Sequence, residues 1–206
     1  RSILEQARAE VAELLGAELS GPAPDRLLFT SGGIEANNLA ILGICRKGGP
    51  AAGQVVVSGM EHPCVLESAE HLLECGWTLE TLSASPDGVV RIEQLSDRLR
   101  TKTHLVSVML ANHETGVLQP VDAIAAVCNA AGVLLHTDAV QMAGKMPVRF
   151  RGLGVAALSV SAHKFRGPLG IGALVLRRDV ALAPLMFGGE QQAGLRPGSE
   201  PVALAV

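Results

Sequence analysis

Apolar positions along the chain fall into two alternating rhythms. Ile3, Leu4, Ala7, Val11, Leu14 and Leu15 keep the three-to-four spacing of one helical face, with Gly16 as a stop. The same spacing predicts helices over residues 34–46, from His62-Pro63 to about Cys75, over 92–99 and over 121–131. Pro63 suits a first helical turn, where its missing N–H costs nothing. Short, nearly continuous apolar runs at 27–30, 54–58, 104–110, 133–137, 155–161 and 171–176 read as buried strands, and 77–82 is strand-like. Gly21-Pro-Ala-Pro24, Gly48-Gly49-Pro50 and Ser85-Pro-Asp-Gly88 punctuate them as loops and turns. The pattern predicts a helix start at Val202, in an apolar run that continues to Val206.

Strands alternating with helices imply a mostly parallel sheet covered on both faces. In such sheets a ligand sits outside the carboxyl ends of the strands. Those ends carry Ser31-Gly32-Gly33, Glu61-His62, Asn112-His113-Glu114, Asp138 to Gln141, and Ser161-Ala162-His163-Lys164. Ser31-Gly32-Gly33 stands between a strand and a helix, where free N–H groups suit a phosphate, although a plain turn would look the same. Asp138 reads either as a helix cap or as a carboxylate held for a cationic ring nitrogen. His62 reads as a stacking face, a helix-start residue or a satisfied core histidine. Lys164, at the lip of a buried strand, reads as a surface lysine or as a partly desolvated Schiff-base former.

Composition narrows these choices. With 48% apolar and 18% charged residues the chain is globular. A net charge of −3 without a basic stripe argues against nucleic acid as a partner. No apolar run is long enough to span a bilayer and no leader is apparent, so no membrane partner is expected. Cys45, Cys64, Cys75 and Cys128 are scattered without a CxxC pair, which predicts free thiols in a reducing cytoplasm. His62, Cys64, His113, His136 and His163 lack the short spacings of a metal site, and no metal is expected. The ends, at Arg1 and in the run to Val206, read as cut, so a fragment of a longer protein is expected. A phosphate cradle, an imidazole face, a buried aspartate and a lysine nucleophile have one natural common ligand, pyridoxal 5′-phosphate (PLP).

Longer motifs carry a resemblance. Phe29-Thr-Ser-Gly-Gly-Ile-Glu-Ala-Asn-Asn-Leu-Ala-Ile-Leu-Gly43, Glu61-His62, Ala111-Asn-His-Glu-Thr-Gly-Val-Leu-Gln-Pro120, His136-Thr-Asp-Ala-Val-Gln141, Ser161-Ala-His-Lys164 and Gly194-Leu-Arg-Pro-Gly-Ser199 resemble the cysteine desulfurase and selenocysteine lyase group. That group lies in the class V aminotransferase branch of fold-type I PLP enzymes. The resemblance runs in order over essentially the whole chain. It implies a three-layer α/β/α sandwich with a mostly parallel mixed sheet. Residues 1–206 would be the PLP-binding large domain, incomplete, without the N-terminal segment and the C-terminal small domain. It implies an enzyme that takes sulfur or selenium from cysteine or selenocysteine and leaves alanine, working as a homodimer with a sulfur-acceptor protein. Another class V activity, or a weakened PLP-fold protein serving binding or assembly, remains the alternative.

By the same resemblance Lys164 is the Schiff-base lysine, Asp138 the partner of the pyridinium nitrogen and His62 the stacking and acid–base group. Gln141 would bond the cofactor's phenolic oxygen. Gly33, Ile34, Ser161 and His163 fall on the phosphate positions, and Ser199 on one that reaches the neighbouring subunit's phosphate. Two positions depart from the pattern. Ile34 replaces a threonine, which removes a hydroxyl whose bond to a charged group is worth about 1.5–3 kcal/mol. His113 stands where an asparagine normally touches the phenolic oxygen, and an imidazole can still donate there. The loop cysteine that accepts sulfur in the group has no counterpart among the four cysteines. Cys64, two residues past His62, reads as a small buried residue in a helix's first turn.

Overall fold

The computed structural model describes residues 2–47, 52–99 and 102–206; the expected stop at 48–50 lies outside these. Seven strands form one sheet: β1 (Arg26–Thr30), β2 (Gln54–Ser58), β3 (Thr78–Leu82), β4 (Thr103–Ser107), β5 (Leu134–Asp138), β6 (Ala157–Ser161) and β7 (Gly172–Leu176). Their order is β1-β7-β6-β5-β4-β2-β3. The pairs from β6 through β5 and β4 to β2 and β3 are parallel. Only β7 runs against its neighbours β1 and β6. The connection from β6 to β7 is too short for the crossover that parallel strands need, so the chain must turn straight back. The sheet is therefore mixed but mostly parallel.

The helices are α1 (Ser2–Leu14), α2 (Gly33–Lys47), α3 (Pro63–Glu74), α4 (Glu93–Arg98), α5 (Val121–Ala130), α6 (Phe150–Leu153) and α7 (Val202–Ala205). Two separate apolar cores show that they cover both faces. One packs α2 and α3 residues such as Leu39, Ile41, Val65 and Leu72 against Val55, Val57, Leu105 and Leu174. The other packs α1, α5 and α6 residues such as Leu4, Ile124 and Phe150 against Val56, Val106, Leu135 and Leu158. Val55, Val56 and Val57 alternate between the two cores, which is why three valines run in succession through the middle of β2. All three are fully buried, worth about 1.5–3 kcal/mol each against exposure. The chain is the three-layer sandwich that the motifs implied.

Element limits shift by one to three residues. The run 104–110 is strand only to Ser107, yet the N–H groups of Val108 and Leu110 still donate to His136 and Asp138, so the segment stays beside β5. The run 133–137 forms β5 one residue later and makes Asp138 its last residue. The edge strand β3 starts at Thr78 and is half exposed, which explains its weaker apolar signal. The short α6 and the 3₁₀ turns at Ala162–Phe165 and Gln191–Gly194 are too brief to show a period. No described helix is long and apolar enough to cross a membrane.

Candidate cofactor site

A cavity of about 270 Å³ opens at the carboxyl ends of the central strands. Gly33, Ile34, His62, His113, Asp138, Gln141, Ser161, His163 and Lys164 all line it. Nine of the ten residues anticipated for the site thus meet at one place. Ser199 does not; it is exposed and lies outside the cavity of its own chain.

One wall is the start of α2. Gly32 caps the helix by accepting from Ala36 N, and Thr30 Oγ1 donates to the same carbonyl at 2.9 Å. Glu35 reaches back to accept from Ser31 N at 2.6 Å and is itself gripped by Arg196 at 2.7 and 3.2 Å. Burial alone would raise the Glu35 carboxyl, but Arg196 and Ser31 overcome it and hold it below its usual range. The N–H groups of Gly33 and Ile34 have no acceptor among the described residues, as expected for a helix's first turn. A Cβ on Gly33 would stand 2.8 Å from Val140 Cγ2, and one on Gly172 would stand 2.7 Å from the Gly32 backbone. Glycine at both positions lets this turn sit hard against β6 and β7, beside Ser161. Ser161 Oγ and His163 Nδ1 are 2.9 Å apart on the facing side. Free N–H groups, a hydroxyl and an imidazole together make an anion seat.

Asp138 ends β5 at the cavity floor, 7% exposed. Its Oδ1 accepts from Val140 N at 2.8 Å and its Oδ2 from Asn37 Nδ2 at 2.6 Å. Burial outweighs the two hydrogen bonds and the neighbouring His62 and His113 and leaves this carboxyl above its usual range. Among the described residues no helix starts directly after β5, so Asp138 caps a local turn through the Val140 bond, and its spare lone pairs leave it free for the site as well.

His62 is also both things at once. It caps α3, its Nδ1 accepting from Cys64 N at 3.2 Å, and its ring lines the cavity edge-on to His113, centroids 5.6 Å apart. Gln141 Oε1 accepts from Lys145 Nζ at 3.0 Å, which leaves its amide N–H groups for a ligand. Lys164 sits on the 3₁₀ turn after β6, closed by Arg166 in the left-handed region at φ 70°. The expected partial desolvation of Lys164 is not observed: its side chain is exposed, because the turn carries it off the strand's buried end. Among the described residues no partner holds its Nζ.

Several neighbours of the site stand apart from the sequence expectations. Glu61 is buried behind the cavity, not in it. Its Oε1 accepts from Ser58 Oγ and Met109 N, both at 2.6 Å, and burial pushes its carboxyl up to about 8. Asn112 folds its own loop, Oδ1 accepting from Glu114 N and Thr115 N, so His113 alone of that motif faces the cavity. Asn37, Cys64, Met109 and Val140 line the cavity unanticipated. Asn37 had a weak signal: it stands one helical turn after Gly33, beside Asn38, where the buried apolar run of α2 begins. Met109 and Val140 had none, being ordinary apolar residues until strands bring them together.

The donor set fits PLP. An anion seat, a buried carboxylate for a ring nitrogen, an imidazole wall and a free amine stand around a space for one substituted ring. Fold and site define a PLP-binding α/β domain. The class-V aminotransferase family profile matches residues 1–199, and the chain belongs to that family of PLP-dependent enzymes. It is 41% identical over 207 residues to the mitochondrial cysteine desulfurase of Drosophila melanogaster, covering 100% of this chain and 44% of that protein. It is 39% identical over 205 residues to the cysteine desulfurase IscS of Rickettsia bellii, covering 98% and 49%. Among solved structures, a NifS-like protein superposes with a TM-score of 0.93 at 34% identity, covering 99% of this chain and 55% of that one. SspA in complex with cysteine superposes at 0.91 and 35% identity, covering 99% and 58%. The chain spans about half the length of the curated relatives it matches.

Proposed function

We propose that this chain is the cofactor-binding large domain of a cysteine desulfurase, which takes sulfur from cysteine, or selenium from selenocysteine, and leaves alanine. The convergence of Lys164, Asp138, His62 and the α2 anion seat on one cavity carries the reading. Relatives named cysteine desulfurases and a neighbour solved with cysteine support the substrate. Bound PLP supplies the electron sink for the substrate's α-carbon.

The chain's own residues do the rest. Lys164 Nζ, exposed and unpaired, is placed to hold the cofactor and afterwards to carry a proton. Asp138 would hold a proton on the ring nitrogen, a pairing that a buried, low-dielectric setting strengthens. His62 would cover the ring, Gln141 and His113 would bond its phenolic oxygen, and Gly33, Ile34, Ser161 and His163 would seat the phosphate. The exposed position of Ser199 suits a reach to the phosphate of a neighbouring subunit, so a homodimer is part of the proposal. A sulfur-acceptor protein is the proposed partner. Free Cys45, Cys64, Cys75 and Cys128 fit a cytoplasmic location.

The test is product analysis of the full-length protein with PLP and cysteine. Alanine with sulfide or protein-bound sulfur supports desulfuration; pyruvate or another keto acid refutes it. Lys164→Ala is expected to lose the visible absorbance of bound PLP, and a spectrum equal to wild type sinks the assignment of that lysine. Ile34 and His113 favour a second reading, a weakened enzyme serving assembly. If Ile34→Thr with His113→Asn yields no gain over an inactive parent, that second reading stands.

A further inference from the structure

Cys64 and Asn37 are cavity residues to which the reading above gives no role. They connect the two groups that the reading places around the cofactor ring. Asn37 is 1% exposed, and its Nδ2 donates to Asp138 Oδ2 at 2.6 Å and to Cys64 Sγ at 3.3 Å. Cys64 Sγ in turn lies 3.0 Å from His62 Nδ1. The amide has two hydrogens and uses both, while its Oδ1 is buried without a partner. Turning the amide over would point that oxygen at the Asp138 carboxylate, so the carboxylate fixes the amide's orientation.

From the chain Asp138–Asn37–Cys64–His62 we infer that Asn37 and Cys64 are positioning residues: Asn37 aims the Asp138 carboxylate and favours its charged form, and Cys64, through its backbone N–H, keeps His62 Nδ1 an acceptor. The inference rests on the proposed PLP reading for its purpose, though not for its geometry. Direction follows from donor counting. Cys64 N already donates to His62 Nδ1, so Nδ1 is an acceptor and Nε2 carries the proton. A thiol that accepts from Asn37 has its own S–H left to donate toward the same Nδ1. Burial pushes the Cys64 thiol up to about 11, which keeps that proton in place and makes Cys64 a donor, not a sulfur-accepting nucleophile. Asp138 is faced also by Glu61, His62 and His113, with His163 and Lys164 on the same cavity. Of these neighbours, only Asn37 donates a side-chain hydrogen bond to it.

The test begins with the full-length protein free of cofactor. Carbon-13 NMR titration reads the Asp138 carboxyl, and nitrogen-15 NMR reads the His62 ring. Asn37→Leu and Asn37→Ala each remove the donor and are expected to weaken the acidity of Asp138 roughly ten- to a hundredfold. Cys64→Ala and Cys64→Ser both keep the residue-64 N–H and are expected to keep His62 in the Nε2–H form. Far-UV circular dichroism confirms folding of each variant. A folded Asn37 variant whose Asp138 titrates as in wild type, or a Cys64→Ala protein whose His62 ring leaves the Nε2–H form, overturns the inference. Failure of the wild-type protein to bind PLP in a separate absorbance titration sinks the cofactor reading instead, and leaves the NMR result to judge the relay.

Discussion

The buried histidine beneath the site allows a quantitative prediction. His136 lies on β5, two residues before Asp138, and is completely buried. Its Nδ1 is 2.9 Å from Ser107 Oγ on β4 and its Nε2 is 2.9 Å from Ser159 Oγ on β6. One nitrogen of a neutral imidazole donates and the other accepts, and rotatable hydroxyls satisfy both. Burial pushes the ring's pKa down to about 3. An unfolded histidine titrates near 6.5. The folded state therefore binds fewer protons than the unfolded state between these values, and stability falls as pH drops below about 6.5. Integrating from pH 7 to pH 5, the ring costs about 2 kcal/mol, nearly all of it from protonation of the unfolded chain. That sum hardly changes if the folded value is off by one unit, because pH 5 stays well above it.

Carboxylates titrate in the same window, so wild type must be compared with His136→Gln, which cannot take up the proton. Urea unfolding at pH 7, 6 and 5, followed by fluorescence of Trp77, gives both curves; Trp77 is the one tryptophan of these 206 residues and is buried. The expected result is a variant weakened at pH 7 whose deficit shrinks by about 2 kcal/mol by pH 5. Parallel pH dependences would refute the reasoning, since they would mean that His136 takes up its proton in the folded state as readily as in the unfolded.

Three further outcomes follow from the site. Ile34→Thr adds a hydroxyl beside the free N–H groups of α2 at a side chain that is 63% exposed, so it should tighten PLP binding about tenfold or more without lowering the melting temperature. Gly33→Ala places a methyl 2.8 Å from Val140 Cγ2; it should cost about 1–3 kcal/mol in chemical denaturation and weaken PLP binding. With iodoacetamide near neutral pH, mass spectrometry should find the exposed Cys75 modified well before Cys64, Cys45 and Cys128, whose thiols burial pushes up to about 11, 12 and 12. Rapid labelling of Cys64 would contradict the donor role assigned to it.

Periodicity alone determined most of the layered fold. Apolar runs at 54–58 and 155–161 are strands because a chain segment buried on both sides must be apolar at every position, and such segments must be joined by covering helices. The same logic placed His62, Asp138, Ser161, His163 and Lys164 at strand ends, where ligands gather. The place of β7 between β1 and β6 and the meeting of the Asp138 and His62 side chains at one cavity were decided only by tertiary packing, because each depends on a neighbour distant in sequence. So were Glu61 behind the cavity and the exposure of Lys164 on its 3₁₀ turn. Asn37 makes the point best. In the sequence it is one of two adjacent asparagines in α2, and only when α2 lies over the end of β5 does its amide come within 2.6 Å of Asp138, 101 positions away. A periodic pattern records which face of an element is buried. It cannot record which distant polar group shares that burial, since one hydrogen bond leaves no rhythm in the chain.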